Sequence, residues 1–212
     1  MKGRRIRMKM LAALLGWVLA VGVFGGATVS LAREPKDELK ETIDRVLGVL
    51  KDPAYKGDGR LKARRQKLRE IINPRFDYKE MAKRSLARHW RRRTPKERKD
   101  FVNIFADLLE RSYVSKIEAY TDEKIIYPSQ RVEERYAEVR TKIVPPSGRD
   151  IPIDYRLHKT PTGWRVYDVI IEGVSLVSNY RGQFNRIIRR DSYARLIRRM
   201  KSKQKDMKKG EL

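Results

Sequence analysis

Asp168 and Glu172 are the residues that most invite a chemical reading, because two nearby carboxylates can divide acid and base roles between them. They stand four positions apart in an alternating apolar segment. On a strand that puts them on one face, roughly 13 Å apart along it. Two carboxyls serving one bond must lie closer than that. Asp168 better suits an ion pair with one of the many arginines, and Glu172-Gly173 suits the end of a strand. His158 falls beside a turn, where it reads as solvated. His89 has Trp90 as its neighbour and no ligand set around it. Cysteine is absent, which excludes disulfides, thiol nucleophiles and Cys zinc sites. No Gly-rich phosphate loop, Ser/His/Asp arrangement or HExxH occurs. The sequence therefore predicts a protein that is not an enzyme and carries no cofactor or metal.

The elements that would hold these residues run as helices, then strands, then helices. Asp37–Lys51 repeats apolar residues at spacings of three and four (Leu39, Ile43, Val46, Leu47, Leu50), the mark of an amphipathic helix. Arg60–Ile72 forms a second helix, ended by Asn73-Pro74. Asp77 can cap a short third. Thr94-Pro95-Lys96-Glu97 is a capping box with proline at the first helical position. The helix it starts extends to about Tyr120 and shows a broad apolar face. Lys124–Tyr127 reads as a short strand. Arg135–Val144, Ile151–Leu157 and Trp164–Ile171 alternate apolar and polar residues between Pro/Gly turns, giving an antiparallel meander with one apolar face. A polar-apolar stretch leads to a helix over Tyr180–Arg190, and a last one restarts after Asp191-Ser192. Leu196, Ile197 and Met200 are its apolar positions. A basic tail follows from Lys201 to Leu212, whose order the sequence leaves open.

The N-terminus has a different character. Met1–Met10 holds five basic residues and no acid, Leu11–Phe24 is uncharged and mostly apolar, and Ser30-Leu31-Ala32 ends in small residues. Those three parts describe a secretory signal peptide over residues 1–32, cleaved after Ala32. The whole chain of 212 residues has 51 Lys+Arg against 27 Asp+Glu, a formal charge of +24. Such an excess raises nucleic acid as a partner. Export argues against it and favours anionic lipid headgroups or an acidic protein partner. The length suits one domain with its own core.

The segment Tyr167-Asp168-Val169-Ile170-Ile171-Glu172-Gly173-Val174-Ser175-Leu176-Val177-Ser178-Asn179-Tyr180-Arg181-Gly182-Gln183-Phe184 resembles the signature of the MlaC-type, or toluene-tolerance, family. Phe76-Asp77, Ala82, Trp90, Thr94-Pro95, Phe101, Phe105, Leu109 and Tyr113 fall in the order and spacing that family shows. The resemblance covers roughly Asp37 to Leu196. Ala87 stands where the family often has Gly, Glu97 where Gln is frequent, and the Lys-rich tail is outside the pattern. The resemblance implies a periplasmic phospholipid carrier that works between an outer-membrane lipoprotein complex and an inner-membrane ABC transporter. It implies an α+β domain over residues 33–200: N-terminal helices, a curved antiparallel sheet of about four strands and C-terminal helices around an apolar lipid cavity. Phospholipid would be cargo, not a cofactor. The expected form is a monomer that does not bind nucleic acid.

Two apolar faces offer walls for such a cavity. On the long helix they are Phe101, Phe105, Leu109 and Tyr113; on the sheet, Val139, Ile143, Ile153 and Tyr155. Trp164 and Tyr167 lie on opposite faces of the last strand, and Trp164 is assigned to the cavity. Val174 and Leu176 belong to a non-periodic run that suits a cavity mouth. Two other classes stay open. One is a basic nucleic-acid binder with Trp90 and Tyr180 as stacking platforms. The other is a small-molecule enzyme on a cone-shaped α+β fold.

Overall fold

The computed structural model describes residues 33–120 and 123–209; the expected export segment, residues 1–32, lies outside the described residues. Helix α1 (Pro35–Lys51) opens on Pro35, whose missing N–H suits a first turn, and carries Asp37 and Glu38 at its positive end. Leu39 and Val49 are its buried stripe. Helix α2 (Leu61–Ile72) stops at Asn73-Pro74. Helix α3 (Tyr78–Leu86) is capped by Asp77, whose carboxylate accepts from the Glu80 amide at 2.8 Å. Helix α4 (Pro95–Glu118) begins with the full capping box. Thr94 Oγ1 accepts from the Glu97 amide at 3.2 Å, and the Glu97 carboxylate accepts from the Thr94 amide at 2.8 Å.

The sheet is antiparallel throughout, in sequence order: β1 (Lys124–Glu133), β2 (Tyr136–Val144), β3 (Ile151–Thr160), β4 (Gly163–Ile171) and β5 (Val174–Ser175). It has five strands where the sequence suggests about four. β1 is also longer than the expected Lys124–Tyr127. Pro128 interrupts the apolar pattern, and the register shifts between Ile126 and Ser129. An edge strand tolerates such a proline because one side of it needs no ladder bond. Glu172 and Gly173 do end β4, but they form a two-residue turn with positive φ at both positions (49° and 80°). That turn type matches strand twist and starts a new pair, Ile171 opposite Val174.

Helix α5 (Leu176–Arg190) starts four residues before the expected Tyr180. Ser175 Oγ accepts from the Ser178 amide at 3.0 Å, and Asp168 Oδ1 from the Val177 amide at 3.1 Å. The run read as non-periodic is thus one strand residue followed by a capped first turn. Helix α6 (Tyr193–Lys209) continues through the basic segment from Lys201, and Gln204 donates to Asp107 on α4 at 2.7 Å. Among the described residues no helix is long and apolar enough to cross a membrane.

Two large filled cores result, beside a small cluster of Val49, Leu68 and Ile71 between α1 and α2. One joins α3, α4, α5 and α6 through Met81, Leu86, Phe101, Phe105, Phe184 and Leu196. The Phe101 and Phe105 rings stack at 5.8 Å, and Phe184 meets Phe105 edge-on at 5.6 Å. The other lies under α1 on the sheet: Leu39, Val139, Leu157, Trp164 and Val166. A polar node fixes α1 there. The buried Glu38 carboxylate accepts from the Trp164 amide at 3.1 Å and pairs with Arg75. Arg75 also donates to the Trp164 carbonyl at 2.6 Å and to Thr42 at 3.0 Å. Gly163 has φ 108°, and a Cβ there would stand 2.7 Å from Glu38 Oε2. Both backbone and space require glycine at this turn.

Candidate functional site

Between the filled parts the elements stand apart around a cavity of about 500 Å³. Ligand pockets of roughly 300–1,000 Å³ enclose most of a drug-sized molecule. Its first wall is the α1–α2 hairpin, through Ile43, Val46, Leu47, Leu50, Leu68 and Ile72. The second is the C-terminal half of α4, through Leu109, Tyr113, Val114 and Ile117. The third is one end of the inner sheet face. There Ile125, Ile143 and Ile151 pair across β1, β2 and β3, and Thr141, Ile153 and Ile171 form the next row. Phe76, Met81 and Leu176 line it where the helices converge.

Charged groups at the border are largely spoken for. Arg65 meets Glu118 at 3.0 Å, Arg69 Nε donates to Glu110 at 2.8 Å, and Arg75 is held in the Glu38 node. These pairs join α2 to α4 and α1 to the sheet, so the walls are clamped by side chains at their rims. Lys116 lies over the Tyr113 ring at 5.5 Å. Burial pushes the Tyr155 phenol up to about 12 and raises that of Tyr113 as well. Both rings therefore face the cavity uncharged at neutral pH. A space lined mainly by aliphatic side chains, with its arginines paired at the edge, suits hydrocarbon.

Six of the eleven sequence-derived candidates line this cavity: Leu109, Tyr113, Ile143, Ile153, Tyr155 and Leu176. The other five stand elsewhere. Phe101 and Phe105 are fully enclosed by α5 and α6, and Val139 and Trp164 lie in the core under α1. Val174, on the short β5, is 56% exposed. Their residue types fit a cavity wall, but protein occupies the space in front of four of them. The contribution of α1 and α2 was missed. Both helices show apolar stripes in the sequence, yet nothing local says that these stripes face an open space.

The titratable candidates have structural partners. Asp168, 3% exposed, accepts from Ser175 Oγ at 2.6 Å and from the Val177 amide, with Arg156 3.6 Å away. Glu172 pairs with Arg149 in its turn. His158 is not solvated: it is half-buried, its Nε2 3.0 Å from Asp77 Oδ2, which ties β3 to the cap of α3. His89 bonds Asn185 at 3.0 Å. Trp90 and Tyr180, the stacking candidates, are 8% and 9% exposed and belong to the helical core. Among the described residues no cluster of three His, Cys, Asp or Glu could hold a metal ion.

The fold and site together define an α+β protein whose sheet and helices enclose an apolar cavity. The profile of the MlaC protein family matches residues 40–202, and the chain belongs to that family. It is 25% identical over 171 residues to the toluene tolerance protein ttg2D of Pseudomonas putida, covering 80% of this chain and 79% of that one. It also resembles the solved phospholipid-binding protein of Ralstonia solanacearum, determined in complex with a phospholipid. The TM-score is 0.74 and the identity 27%, over 82% of this chain and 99% of the other.

Proposed function

We propose that this protein carries phospholipid, with the acyl chains in the cavity between α1, α2, α4 and the sheet and the headgroup toward solvent. The observation that supports this best is an unfilled apolar space of about 500 Å³ in a fold shared with a phospholipid-bound relative. Leu109, Tyr113, Ile143, Ile153, Tyr155 and Leu176 would contact the chains. Burying hydrocarbon gives roughly 0.8 kcal/mol per CH₂, so one acyl chain is held against water by about 10 kcal/mol. Against a bilayer the difference is near zero, because the chains are already dry there. A carrier needs that balance: retention in water, release at a membrane.

The setting we propose is the periplasm, after removal of residues 1–32. There the protein shuttles lipid between an outer-membrane lipoprotein complex and an inner-membrane ABC transporter, as a non-enzymatic component. Mass spectrometry of an organic extract of the purified protein tests the cargo. Phospholipid in near-stoichiometric amount is expected; a folded protein that never yields lipid would overturn the reading. N-terminal sequencing of the cell-made protein should begin at Arg33, and a stable full-length chain in the membrane fraction would argue for an anchor.

A further inference from the structure

The basic residues of this chain are not distributed alike. On α2 they are paired: Arg64 and Arg65 with Glu118, Arg69 with Glu110. On α5 and α6 most are not. Between Arg181 and Lys209 there are twelve Lys and Arg against Asp191 and Asp206. All twelve are exposed. Among the described residues the acid that pairs with one of them is Asp191, 3.6 Å from Arg199. Asp100, nearby on α4, is itself paired with Lys96 at 2.7 Å. At the junction of α5 and α6, Arg186, Arg189, Arg190 and Arg199 border one open depression of about 650 Å³. Four guanidiniums and a single carboxylate leave that depression strongly positive.

We propose that the α5–α6 face is a docking surface for an anionic phospholipid bilayer, with the arginine-lined depression seating lipid phosphate. Its chemistry favours a membrane over other polyanions. The charge is spread along two helices. Lysine dominates from Lys201 onward, and its hydrated point charge suits a diffuse potential more than fixed bidentate recognition. Single-stranded nucleic acid is held by exposed rings that stack on its bases, and here Trp90, Tyr180 and Phe184 are buried in the helical core; duplex DNA is an arm of the test below. The face is also separate from the cargo site. Leu176, in the first turn of α5, is the last cavity residue in the chain, and no α6 residue lines that space. Docking would hold the protein at a membrane while its cavity stays accessible.

The proposal does not depend on what the cavity holds, so its test can fail alone. The measurement is co-sedimentation of the mature protein with vesicles of pure phosphatidylcholine or with one third phosphatidylglycerol. Binding to the anionic vesicles alone is expected, weakening steeply from low to physiological salt. Each cation near such a surface strengthens binding on the order of fivefold. Reversing four of them (R198E/K201E/K203E/K205E) should weaken it at least about a hundredfold, with co-purified lipid unchanged. The matching Gln variant guards against misfolding and should show about half the effect on a logarithmic scale. An R186Q/R189Q/R190Q variant tests the depression and should weaken binding further than three lysine-to-glutamine changes on α6. Equal binding to both vesicle types would overturn the proposal. So would a fully folded reversal variant that still sediments, or binding to an acidic protein or a DNA duplex but to neither vesicle. Loss of cargo with docking intact would count against the carrier reading only.

Discussion

Phe101 and Phe105 on the first half of α4 are fully buried against α5 and α6, whereas Tyr113 and Ile117 on its second half face the cavity. The helix carries one kind of apolar face along its whole length. What differs is the opposing element. The first half meets three helices whose rings interlock at 5–6 Å centroid spacings. The second half meets α2 across rim ion pairs, Arg64 and Arg65 to Glu118 and Arg69 to Glu110, and faces a sheet that stands off. The sheet repeats the division. Its Val139–Leu157–Trp164 end is packed under α1, and its Ile143–Ile153–Ile171 end is open. An apolar stripe therefore specifies dryness, and only the partner decides whether protein or cargo supplies it.

The sharpest way to break that comparison is to put a charge on each side of the boundary. Val139 and Ile153 both point to the inner sheet face, the first fully buried in protein and the second on the cavity. Val139→Asp should leave the protein unfolded, because a buried unpaired carboxylate costs many kcal/mol. Ile153→Asp should remain folded, since its carboxylate can be hydrated within an emptied cavity, and should lose co-purified lipid. Circular dichroism and lipid extraction check both. Unfolding of both variants would mean that the cavity wall behaves as core.

Truncation gives the next largest contrast. Phe105→Ala removes a ring enclosed by Phe101, Tyr180 and Phe184 and should cost about 3–5 kcal/mol. Ile143→Ala removes groups that already border open space and should cost no more than about 2 kcal/mol, the low end for an Ile-to-Ala change. At this size each kcal/mol moves the melting point by roughly 2–4 °C, so thermal melts separate the two readily.

Much of this architecture was legible in the sequence because it rests on local chemistry. The Thr94–Glu97 capping box, the end of β4 at Glu172-Gly173 and the alternation of β2 to β4 are set by neighbours a few residues away. β1 was less legible, since Pro128 breaks its pattern and only an edge position makes that tolerable. The start of α5 escaped because half of its cap, Asp168, comes from a strand. The cavity was half legible. Its residues are apolar in the sequence, but Phe105 and Tyr113 carry the same signal, and the separation of wall from core depends on contacts between α4 and distant helices. His158 misled for the same reason: its partner, Asp77, is 81 positions away.

Filling the cavity sharpens the comparison from the other side. Ile153→Trp adds bulk to the open end of the sheet, where no protein atom has to yield. Its melting point should stay within about 3 °C of the parent, whereas overpacking a filled core costs about 1–3 kcal/mol. Lipid recovered per protein should fall by at least about half. A variant that melts much lower would show that the space collapses when empty and is not held open by its rims.

The smallest effect distinguishes the two regions by their phenols. Burial pushes both Tyr155, on the cavity, and Tyr193, on the helical core, up to about 12. In the unfolded chain each titrates near 10. Between those values the folded protein binds more protons than the unfolded one, so stability is complete below about pH 10 and falls as pH rises toward 12. Melting points should accordingly be flat to about pH 9 and drop by several degrees above 10. The two rings should part company when cargo is removed. Cargo lays further hydrocarbon against the Tyr155 phenol, so its ionisation should lie higher in the loaded protein than in the delipidated one. Tyr193 is buried by Phe101 and covered by Arg93, which cargo does not touch, so its ionisation should stay in place. Ultraviolet titration of loaded and delipidated protein, with Tyr155→Phe and Tyr193→Phe to assign each ring, reads this directly. A Tyr155 transition that is the same in both preparations would mean that cargo never reaches the β3 row, and would place the acyl chains nearer α1 and α2.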